Sequence, residues 1–208
     1  MAAPLYKENK SQTISETDTF TLERYEQFLQ YLKKDLTVLD IGCNSGRGGT
    51  VIKNTFPSTN LYGIELVKER IEKIPAGIYT QVYNESITTW ESGNLKFDRI
   101  IAGEVIEHIP QDEFIIMLQK CKTLLKQDGL ILFTTPNPDA ILIKLGRDSV
   151  FEDPSHVNIM SIPAFKSFVK NAGLKVIKIL GSGKATRYLG SKIPLLNLYG
   201  SYLAVLSK

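Results

Sequence analysis

The chain has few of the residues that build disulfide-bonded or metal-stabilised folds. Its 208 residues include two cysteines, Cys43 and Cys121, and two histidines, His108 and His156. Two isolated cysteines provide neither a disulfide framework nor a zinc cluster. The sequence also lacks an apolar run of about 20 residues, the length that crosses a bilayer. Residues 1–10 lack the apolar core of a signal peptide. We therefore expect a cytoplasmic protein without a membrane span.

A large excess of one charge is also missing. The 25 basic and 22 acidic residues give a net charge of +3 at pH 7, which is too small to indicate a nucleic-acid partner by itself. The apolar fraction of 43% and the charged fraction of 23% are those of an ordinary globular domain. We expect one domain over residues 1–208, with residues 1–20 as a polar flap or tail. The sequence does not indicate an oligomeric state.

One stretch joins a buried-strand pattern to a glycine-rich loop. The apolar run at residues 38–41 indicates a buried strand. Four glycines follow it: Gly42, Gly46, Gly48 and Gly49. Glycine permits positive φ angles and lets backbone N–H groups approach a ligand. Asp40, at the end of the strand, can fix the loop or meet a cationic group of a ligand. The dinucleotide motif would need glycine where Asn44 and Arg47 stand, and this disfavours a dehydrogenase.

The apolar periodicity of the remaining chain alternates between strands and helices. The predicted strands are residues 36–41, 61–65, 78–83, 97–103, 130–135, 174–180 and 199–207. The predicted helices are residues 21–34, 47–54, 67–73 and 112–126, and one more that begins at Ser161 and ends before Gly173. This alternation predicts an α/β fold with a three-layer, doubly wound, mostly parallel sheet.

An acidic residue closes the second predicted strand. Glu65 follows Gly46 by about 20 residues, the spacing at which an acid typically accepts hydrogen bonds from ribose hydroxyls. The combination of the glycine loop and this acid therefore indicates a nucleoside-containing ligand.

Side chains suited to metal binding or proton transfer follow the fourth and fifth predicted strands. They are Glu104, Glu107, His108 and His156. If residues 104–108 are helical, the first three project to one side. His156 lies in a long connection, residues 138–160, of a length that is often functional. Two glutamates and two histidines would suit an octahedral Mg²⁺ or Mn²⁺. A single histidine that acts as a general base is the alternative.

Four segments together resemble the class I S-adenosylmethionine-dependent methyltransferases in their order and spacing. They are residues 40–46, Glu65, residues 97–110 and residues 129–137. The resemblance extends from about residue 36 to residue 208. It implies a minimal seven-stranded, Rossmann-like sheet with S-adenosylmethionine as cofactor and S-adenosylhomocysteine as product.

The resemblance also implies roles for individual residues. Asp40 begins the cofactor motif, and Gly42, Asn44 and Gly46 would line the methionine part, with Asn44 in place of the commoner glycine. Glu65 would hold the ribose, and Glu104 would lie near the cofactor. The aspartate that usually meets adenine after strand three is missing. Asn84, Glu85 or Ser86 would take its place.

The acceptor is indicated by a narrower resemblance. A similar Glu-x-x-Glu-His, with a following Thr-Thr-Pro-Asn and a later histidine, occurs in ubiquinone-pathway catechol O-methyltransferases and in small-RNA 3′-end 2′-O-methyltransferases. There a metal gathers two neighbouring hydroxyls. The resemblance implies O-methylation of a small-molecule acceptor, a sugar, polyol or phenol. It makes Glu107, His108 and His156 catalytic and adds Glu104 as a fourth metal ligand.

Two questions about the function stay open at the level of sequence. Metal-free methyltransferases also carry Glu-His-(Ile/Leu)-Pro at this place, with a histidine as general base. An RNA 3′-end ribose 2′-O-methyltransferase and a non-catalytic S-adenosylmethionine-binding module are the alternative functions. The modest net charge disfavours nucleic acid as the acceptor.

Overall fold

Strands and helices alternate along the chain, as the apolar periodicity predicts. The computed structural model describes residues 10, 19–146, 150–183, 186–190 and 192–208. The strands are β1 (Thr37–Ile41), β2 (Asn60–Ile64), β3 (Gln81–Tyr83), β4 (Phe97–Gly103), β5 (Leu125–Pro136), β6 (Lys175–Ser182) and β7 (Ser201–Ser207). The α-helices are α1 (Phe20–Leu29), α2 (Arg47–Thr55), α3 (Lys68–Ile71), α4 (Gln111–Leu124), α5 (Ile141–Lys144), α6 (Ile162–Asn171) and α7 (Thr186–Leu189). Short 3₁₀ turns span Ile106–His108 and Leu196–Leu198.

The seven strands form one sheet in the order β3-β2-β1-β4-β5-β7-β6. Strands β1 to β5 pair in parallel. Strand β7 runs antiparallel to both β5 and β6. The predicted doubly wound, mostly parallel, Rossmann-like sheet is confirmed. Because the strand order reverses between β1 and β4, their carboxyl ends form the crevice in which such sheets bind ligands.

Apolar side chains cover both faces of the sheet, which makes the three layers. Val38 and Ile101 belong to a cluster on the face that α1 and α2 cover. Their chain neighbours Leu39 and Ile100 belong to a second cluster, with Phe114 of α4. Neighbouring residues of a strand thus point into two different cores. This explains why the central strands are mostly apolar instead of alternating regularly with polar residues.

Several element boundaries differ from their predictions, and three of the differences have a visible physical reason. Helix α1 ends at Leu29 because the chain tightens into i→i+3 turns, although the apolar spacing continues to the buried Leu32. Strand β5 begins at Leu125, where an irregular stretch pairs with β4 before regular pairing resumes at Leu130. Residues 104–108 do not form the helix that would have projected Glu104, Glu107 and His108 to one side. Glu104 has a φ of +54°, and the 3₁₀ turn begins only at Ile106.

Two expectations drawn from composition concern the ends and the surface of the chain. Within the described ranges, no helix has the length and apolar character needed to cross a membrane. The predicted flap over residues 1–20 lies outside the described residues except at positions 10, 19 and 20. The flap, the cytoplasmic location and the single-domain extent stay predictions.

Candidate functional site

The loop between β1 and α2 has a backbone that requires glycine at two positions. Gly42 and Gly46 have φ angles of +71° and +80°, and Asn44 has +51°. A Cβ atom on Gly42 would lie 2.5 Å from a methyl carbon of Val105, and one on Gly46 would lie 3.0 Å from Ile74. The residues assigned to the methionine part of the cofactor therefore form one tight turn, where backbone groups can approach a ligand.

Asp40 lies completely buried beneath this loop. Its two carboxylate oxygens accept hydrogen bonds from the hydroxyls of Tyr25, at 2.7 Å, and Tyr79, at 2.6 Å. Burial raises the pKa of Asp40 to about 7; the tyrosine hydrogen bonds oppose this shift and the charge of Glu65 adds to it. Of the two roles considered for Asp40, these bonds support fixing the loop, because both oxygens are already engaged.

Two consecutive glycines of α2 make room for these tyrosines. A Cβ atom on Gly48 would lie 2.0 Å from the ring of Tyr25, and one on Gly49 would lie 2.4 Å from the Tyr79 hydroxyl oxygen. Tyr25 comes from α1 and Tyr79 from the turn before β3. The glycine loop is therefore held from both sides, and a larger residue at either glycine would displace a hydroxyl from Asp40.

Glu65 ties the end of β2 to the glycine loop. The side chain is buried, and its carboxylate accepts hydrogen bonds from the backbone N–H groups of Asn44, at 3.0 Å, and Val67, at 2.8 Å. A guanidinium nitrogen of Arg70 lies 3.8 Å from the same carboxylate. Glu65, the residue predicted to hold the ribose, thus lies at the carboxyl edge of the sheet, beside the residues predicted to hold the methionine part of the cofactor.

The segment after β3 lies next to Glu65. The side-chain amide of Asn84 donates to the backbone carbonyls of Glu65 and Leu66, at 3.0 and 2.9 Å. Glu85 is exposed and Ser86 half-buried, so both side chains stay accessible for the predicted adenine contact. Trp90 packs in the core against Tyr83.

Glu104 follows β4 in a left-handed backbone conformation. Its carboxylate lies 3.5 Å from the Nε atom of Arg24 and accepts a hydrogen bond of 3.3 Å from the hydroxyl of Ser201. It therefore faces α1 and the start of β7. This direction differs from the convergence on Glu107 and His108 that a helical segment would have produced.

The structure brings together three of the four predicted metal-ligating residues. One ligand atom from each of Glu107, His108 and His156 lies within 4.8 Å of the other two. The rings of the two histidines are 4.9 Å apart between centroids. Glu107 is buried and accepts a hydrogen bond of 3.1 Å from the hydroxyl of Thr135. Burial raises the pKa of Glu107 well above its usual range, and the charge of Glu104 adds to this.

Backbone carbonyls orient both imidazole rings. The Nδ1 atom of His108 lies 3.1 Å from the carbonyl oxygen of Ser155, and that of His156 lies 2.6 Å from the carbonyl oxygen of Val150. A carbonyl oxygen can only accept, so each Nδ1 carries the proton and a neutral ring presents its lone pair on Nε2. Burial lowers the pKa of His108 to about 4. His108 is therefore neutral at physiological pH.

The long connection after β5 is fastened to the segment that carries Glu107. The backbone N–H of Asn158 donates to the carbonyl of Glu107 at 2.9 Å, and its side-chain amide donates to the carbonyl of Ile106 at 3.4 Å. Within the connection, Ser155 donates from its backbone N–H to Asp153. These bonds bring His156 beside His108, although the two residues are far apart along the chain.

A comparison with known families identifies the family of this chain. Residues 14–179 match the family described as "Methyltransferase domain", which covers most of the chain. The chain belongs to the class I S-adenosylmethionine-dependent methyltransferases. The predicted resemblance is thereby confirmed.

Relatives of this methyltransferase act on different kinds of atom. This chain is 30% identical over 132 residues to an (S)-coclaurine N-methyltransferase from Papaver somniferum, and the match covers 61% of this chain and 36% of that protein. It is 32% identical over 130 residues to a ubiquinone biosynthesis O-methyltransferase from Glaesserella parasuis serovar 5, across 55% of this chain and 52% of that protein. The methyltransferase thus spans about half, or less, of the length of these curated relatives.

A solved structure shares the fold of this methyltransferase over nearly its whole length. An S-adenosylmethionine-dependent methyltransferase from Leishmania major superposes with a TM-score of 0.74 and 16% identity, covering 99% of this chain and 82% of that chain. At this level of identity the likeness concerns the fold.

The described residues fit S-adenosylmethionine as the cofactor. Gly42 leaves no room for a side chain, and Asn44 and Glu65 lie at the same edge of the sheet. Beside them, the buried Nε of Arg24 and one buried carboxylate oxygen of Glu104 have no hydrogen-bond partner. Buried polar atoms without a hydrogen bond are uncommon in proteins, and a bound ligand is one explanation for them.

Sequence reasoning missed the residues that support this site. Tyr25, Tyr79, Arg24 and Asn158 carry no local motif. The pair Gly48 and Gly49 in the first turn of α2 was an available signal, because two glycines in a helix imply bulky neighbours. It indicates that something packs there, but it does not say which side chain.

Proposed function

We propose that the protein transfers a methyl group from S-adenosylmethionine to a hydroxyl oxygen of a small molecule. The observation that carries the proposal is the cluster of Glu107, His108 and His156 at the carboxyl edge of the sheet, beside the cofactor residues. A hydroxyl is a weak nucleophile until its proton is removed, and this cluster supplies groups able to remove it. The ubiquinone-pathway O-methyltransferases among the relatives support an oxygen acceptor.

The reaction needs alignment of the acceptor and one proton transfer. Bound S-adenosylmethionine supplies a methyl group on a sulfonium, which is already a strong electrophile. The acceptor oxygen forms the new O–CH₃ bond as the C–S bond breaks, which leaves S-adenosylhomocysteine. The proton of the acceptor hydroxyl goes to the Nε2 atom of His108 or His156. The carbonyls of Ser155 and Val150 keep that nitrogen available, because each holds the proton of the ring on Nδ1.

As the alternative to a histidine base, we propose that Glu107, His108 and His156 hold a divalent cation. The Nε2 atoms that ligate the ion would then not act as bases. One carboxylate and two imidazoles suit a first-row divalent metal such as Mn²⁺. This set of three ligands is one fewer than the four that the sequence predicts. Glu104 is poorly placed to be the fourth, because the positive guanidinium of Arg24 lies beside it. Such an ion would lower the pKa of an acceptor hydroxyl and favour acceptors with two neighbouring hydroxyls.

The surroundings of His156 favour a phenol over a sugar. Phe151 and Val157 lie near His156 along the chain and are 61% and 46% exposed. Exposed apolar side chains next to polar catalytic groups suit an aromatic ring that carries hydroxyls. We therefore place catechol-like phenols first among the acceptors, ahead of sugars and polyols.

An acceptor panel tests this proposal directly. Purified protein is incubated with S-[methyl-labelled]adenosylmethionine and either a catechol, a sugar, a primary amine or a short RNA, with Mn²⁺ or with EDTA. We expect labelled O-methyl catechol, and less of it with EDTA. Preferred labelling of the amine would make the protein an N-methyltransferase, and labelling of the RNA 3′ end would make it a ribose methyltransferase.

Two variants separate catalysis from cofactor binding in the same assay. His108→Ala and His156→Ala should lose most of the turnover and retain S-adenosylhomocysteine binding. Asp112→Asn, on the exposed start of α4, is the control that should leave turnover unchanged. Full turnover in both histidine variants would refute the proposed chemistry.

A further inference from the structure

A single turn of the long connection after β5 ends on His156. Its four residues are Asp153, Pro154, Ser155 and His156. The backbone N–H of His156 donates to the carbonyl of Asp153 at 3.0 Å, which is the bond that closes a β-turn. Aspartate is favoured at the first position of such turns and proline at the second, because proline fixes its own φ. The place of His156 in the connection is therefore set by this turn.

The side chain of Asp153 holds the third residue of the same turn. Its Oδ1 atom accepts hydrogen bonds from the backbone N–H of Ser155 at 2.9 Å and from the Ser155 hydroxyl at 2.5 Å. Aspartate side chains often bond to the N–H two residues further along and so fix a turn. Ser155 is buried, whereas the side chain of Asp153 is 35% exposed. A carboxylate at the surface thus fixes the backbone of a buried residue.

Ser155 in turn controls the proton of His108. Its carbonyl oxygen lies 3.1 Å from Nδ1 of His108. If that carbonyl moved away, the ring would lose the acceptor that keeps its proton on Nδ1, and Nε2 would compete for the proton. A neutral ring that is protonated on Nε2 can neither take a proton there nor bind a cation there. Asp153 is therefore linked through Ser155 to the atom of His108 that the proposed chemistry uses.

The other carboxylate oxygen of Asp153 has a looser contact. Oδ2 lies 3.8 Å from Nε2 of His156, which is longer than a hydrogen bond. The ring of His156 is oriented instead by the carbonyl of Val150, at 2.6 Å from Nδ1. These distances give Asp153 a part in the geometry of the cluster, and they do not support a direct hydrogen bond from Asp153 to either ring.

We propose that Asp153 is a positioning residue of the acceptor cluster, which holds the carbonyl of Ser155 against Nδ1 of His108 and keeps His156 in its turn. The inference rests on the proposed function, in which Nε2 of a histidine meets the acceptor or a cation. What Asp153 supplies is an oxygen atom at the right distance from Ser155. Its negative charge is not required for this role.

The tautomer of His108 tests the inference without any acceptor. The chain has two histidines, so a ¹⁵N-edited spectrum of the imidazole nitrogens shows two rings, and a spectrum of His156→Ala assigns them. At about pH 8, where an ordinary histidine is neutral, His108 should carry its proton on Nδ1 in the wild type. Asp153→Asn should show the same tautomer, because its amide oxygen can still accept from Ser155. In Asp153→Ala we expect a mixture of both tautomers, and unchanged protonation on Nδ1 in this variant would overturn the inference.

Turnover of catechol with S-adenosylmethionine then separates geometry from charge. In Asp153→Ala, kcat should fall about 10- to 100-fold, the usual cost of losing a residue that orients a working side chain, with little change in S-adenosylhomocysteine affinity. Asp153→Asn should retain most of kcat. Asp153→Glu should not, because its longer side chain cannot close the same turn on Ser155. Glu152→Ala removes the neighbouring exposed carboxylate and is the matched control.

The opposite order of the two conservative variants would refute the positioning role. Full turnover in Asp153→Glu with a loss in Asp153→Asn would mean that the negative charge acts directly. Equal losses of kcat, of S-adenosylhomocysteine affinity and of thermal stability in Asp153→Asn and Asp153→Ala would mean that the turn only supports the fold. If Asp153→Ala does not fold, Asp153→Glu takes its place in the spectrum. If the wild type methylates no acceptor, the proposed function fails, and the spectrum of His108 still decides this inference.

Discussion

The Nδ1 atom of His108 lies 3.1 Å from the carbonyl oxygen of Ser155, the residue that precedes His156. This contact joins the turn after β4 to the long connection after β5, and it fixes the tautomer of His108. Because burial also lowers the pKa of His108 to about 4, the ring is neutral and its Nε2 atom carries a lone pair. One hydrogen bond therefore both assembles the cluster and prepares one of its members.

Replacement of His108 should abolish the chemistry and spare the cofactor. Loss of a general base typically costs about 10²- to 10⁴-fold in rate, and we expect a fall of this size in kcat for His108→Ala. S-adenosylhomocysteine affinity should change little, because His108 belongs to the acceptor cluster. Single-turnover rates and calorimetry measure the two quantities. A parallel loss of both would mean that His108 supports the fold.

Removal of Glu107 should remove metal binding. Mn²⁺ is titrated into the protein saturated with S-adenosylhomocysteine, and binding is followed by the paramagnetic relaxation of water. We expect micromolar binding that Glu107→Gln weakens by at least about 10-fold, since Glu107 is the only member of the cluster that can bring a negative charge to the cation. Asp112→Asn, at an exposed site, should bind as the wild type does. Absence of binding in the wild type would leave a histidine as a metal-free base.

Glu65 should contribute to the binding of every nucleoside ligand. Its two carboxylate oxygens accept hydrogen bonds from the backbone N–H groups of Asn44 and Val67. Glu65→Gln replaces one of these oxygens by an amide NH₂ group, which cannot accept a hydrogen bond from the N–H group that it faces. We expect affinity for S-adenosylhomocysteine and for 5′-methylthioadenosine to fall together by about 10-fold, as one charged hydrogen bond is lost. Glu72→Gln, exposed after α3, is the control. An unchanged 5′-methylthioadenosine affinity would exclude a role at the ribose.

The strands and the order of the site residues were predictable because they follow from local patterns. Apolar runs such as residues 38–41 specify buried strands, and parallel pairing then brings Gly42, Glu65 and Glu104 to one edge of the sheet. The approach of His156 to Glu107 was foreseeable only as a possibility of the long loop. It depends on the hydrogen bonds of Asn158 to the carbonyls of Ile106 and Glu107, which no spacing encodes.

Glu104 shows where local pattern reasoning failed. Its spacing from Glu107 and His108 suggested one side of a helix, but the left-handed turn at Glu104 rotates its side chain toward Arg24. Arg24 itself carries no local motif that marks it as a site residue. Pairing between residues so distant in sequence is decided by how α1 packs on the sheet, and the sequence of either segment does not contain that information.

The contact between Tyr25 and Gly48 should appear as coupling in a double-mutant cycle. Gly48→Ala places a methyl group 2.0 Å from the Tyr25 ring, and overpacking of this kind typically costs about 1–3 kcal/mol. In a Tyr25→Ala background the ring is absent, so Gly48→Ala should cost little or even stabilise α2. Urea unfolding of the four proteins measures the coupling. Additive free energies would mean that Tyr25 does not occupy this space.

Asp40 should make the stability of the protein fall as pH rises toward neutrality. Burial raises its pKa to about 7, so the folded state holds the proton more tightly than the unfolded state. The corresponding stability is fully present below the unfolded pKa of about 4 and is lost as pH rises through the folded value. Asp40→Asn has no carboxyl proton to lose, so its free energy of unfolding in urea should rise relative to that of the wild type from pH 4 to pH 7. Asp128→Asn, an exposed control, should show the same pH dependence of the free energy of unfolding as the wild type. A difference between Asp40→Asn and wild type that does not change with pH would show that Asp40 ionises normally, and that the hydroxyls of Tyr25 and Tyr79 offset its burial.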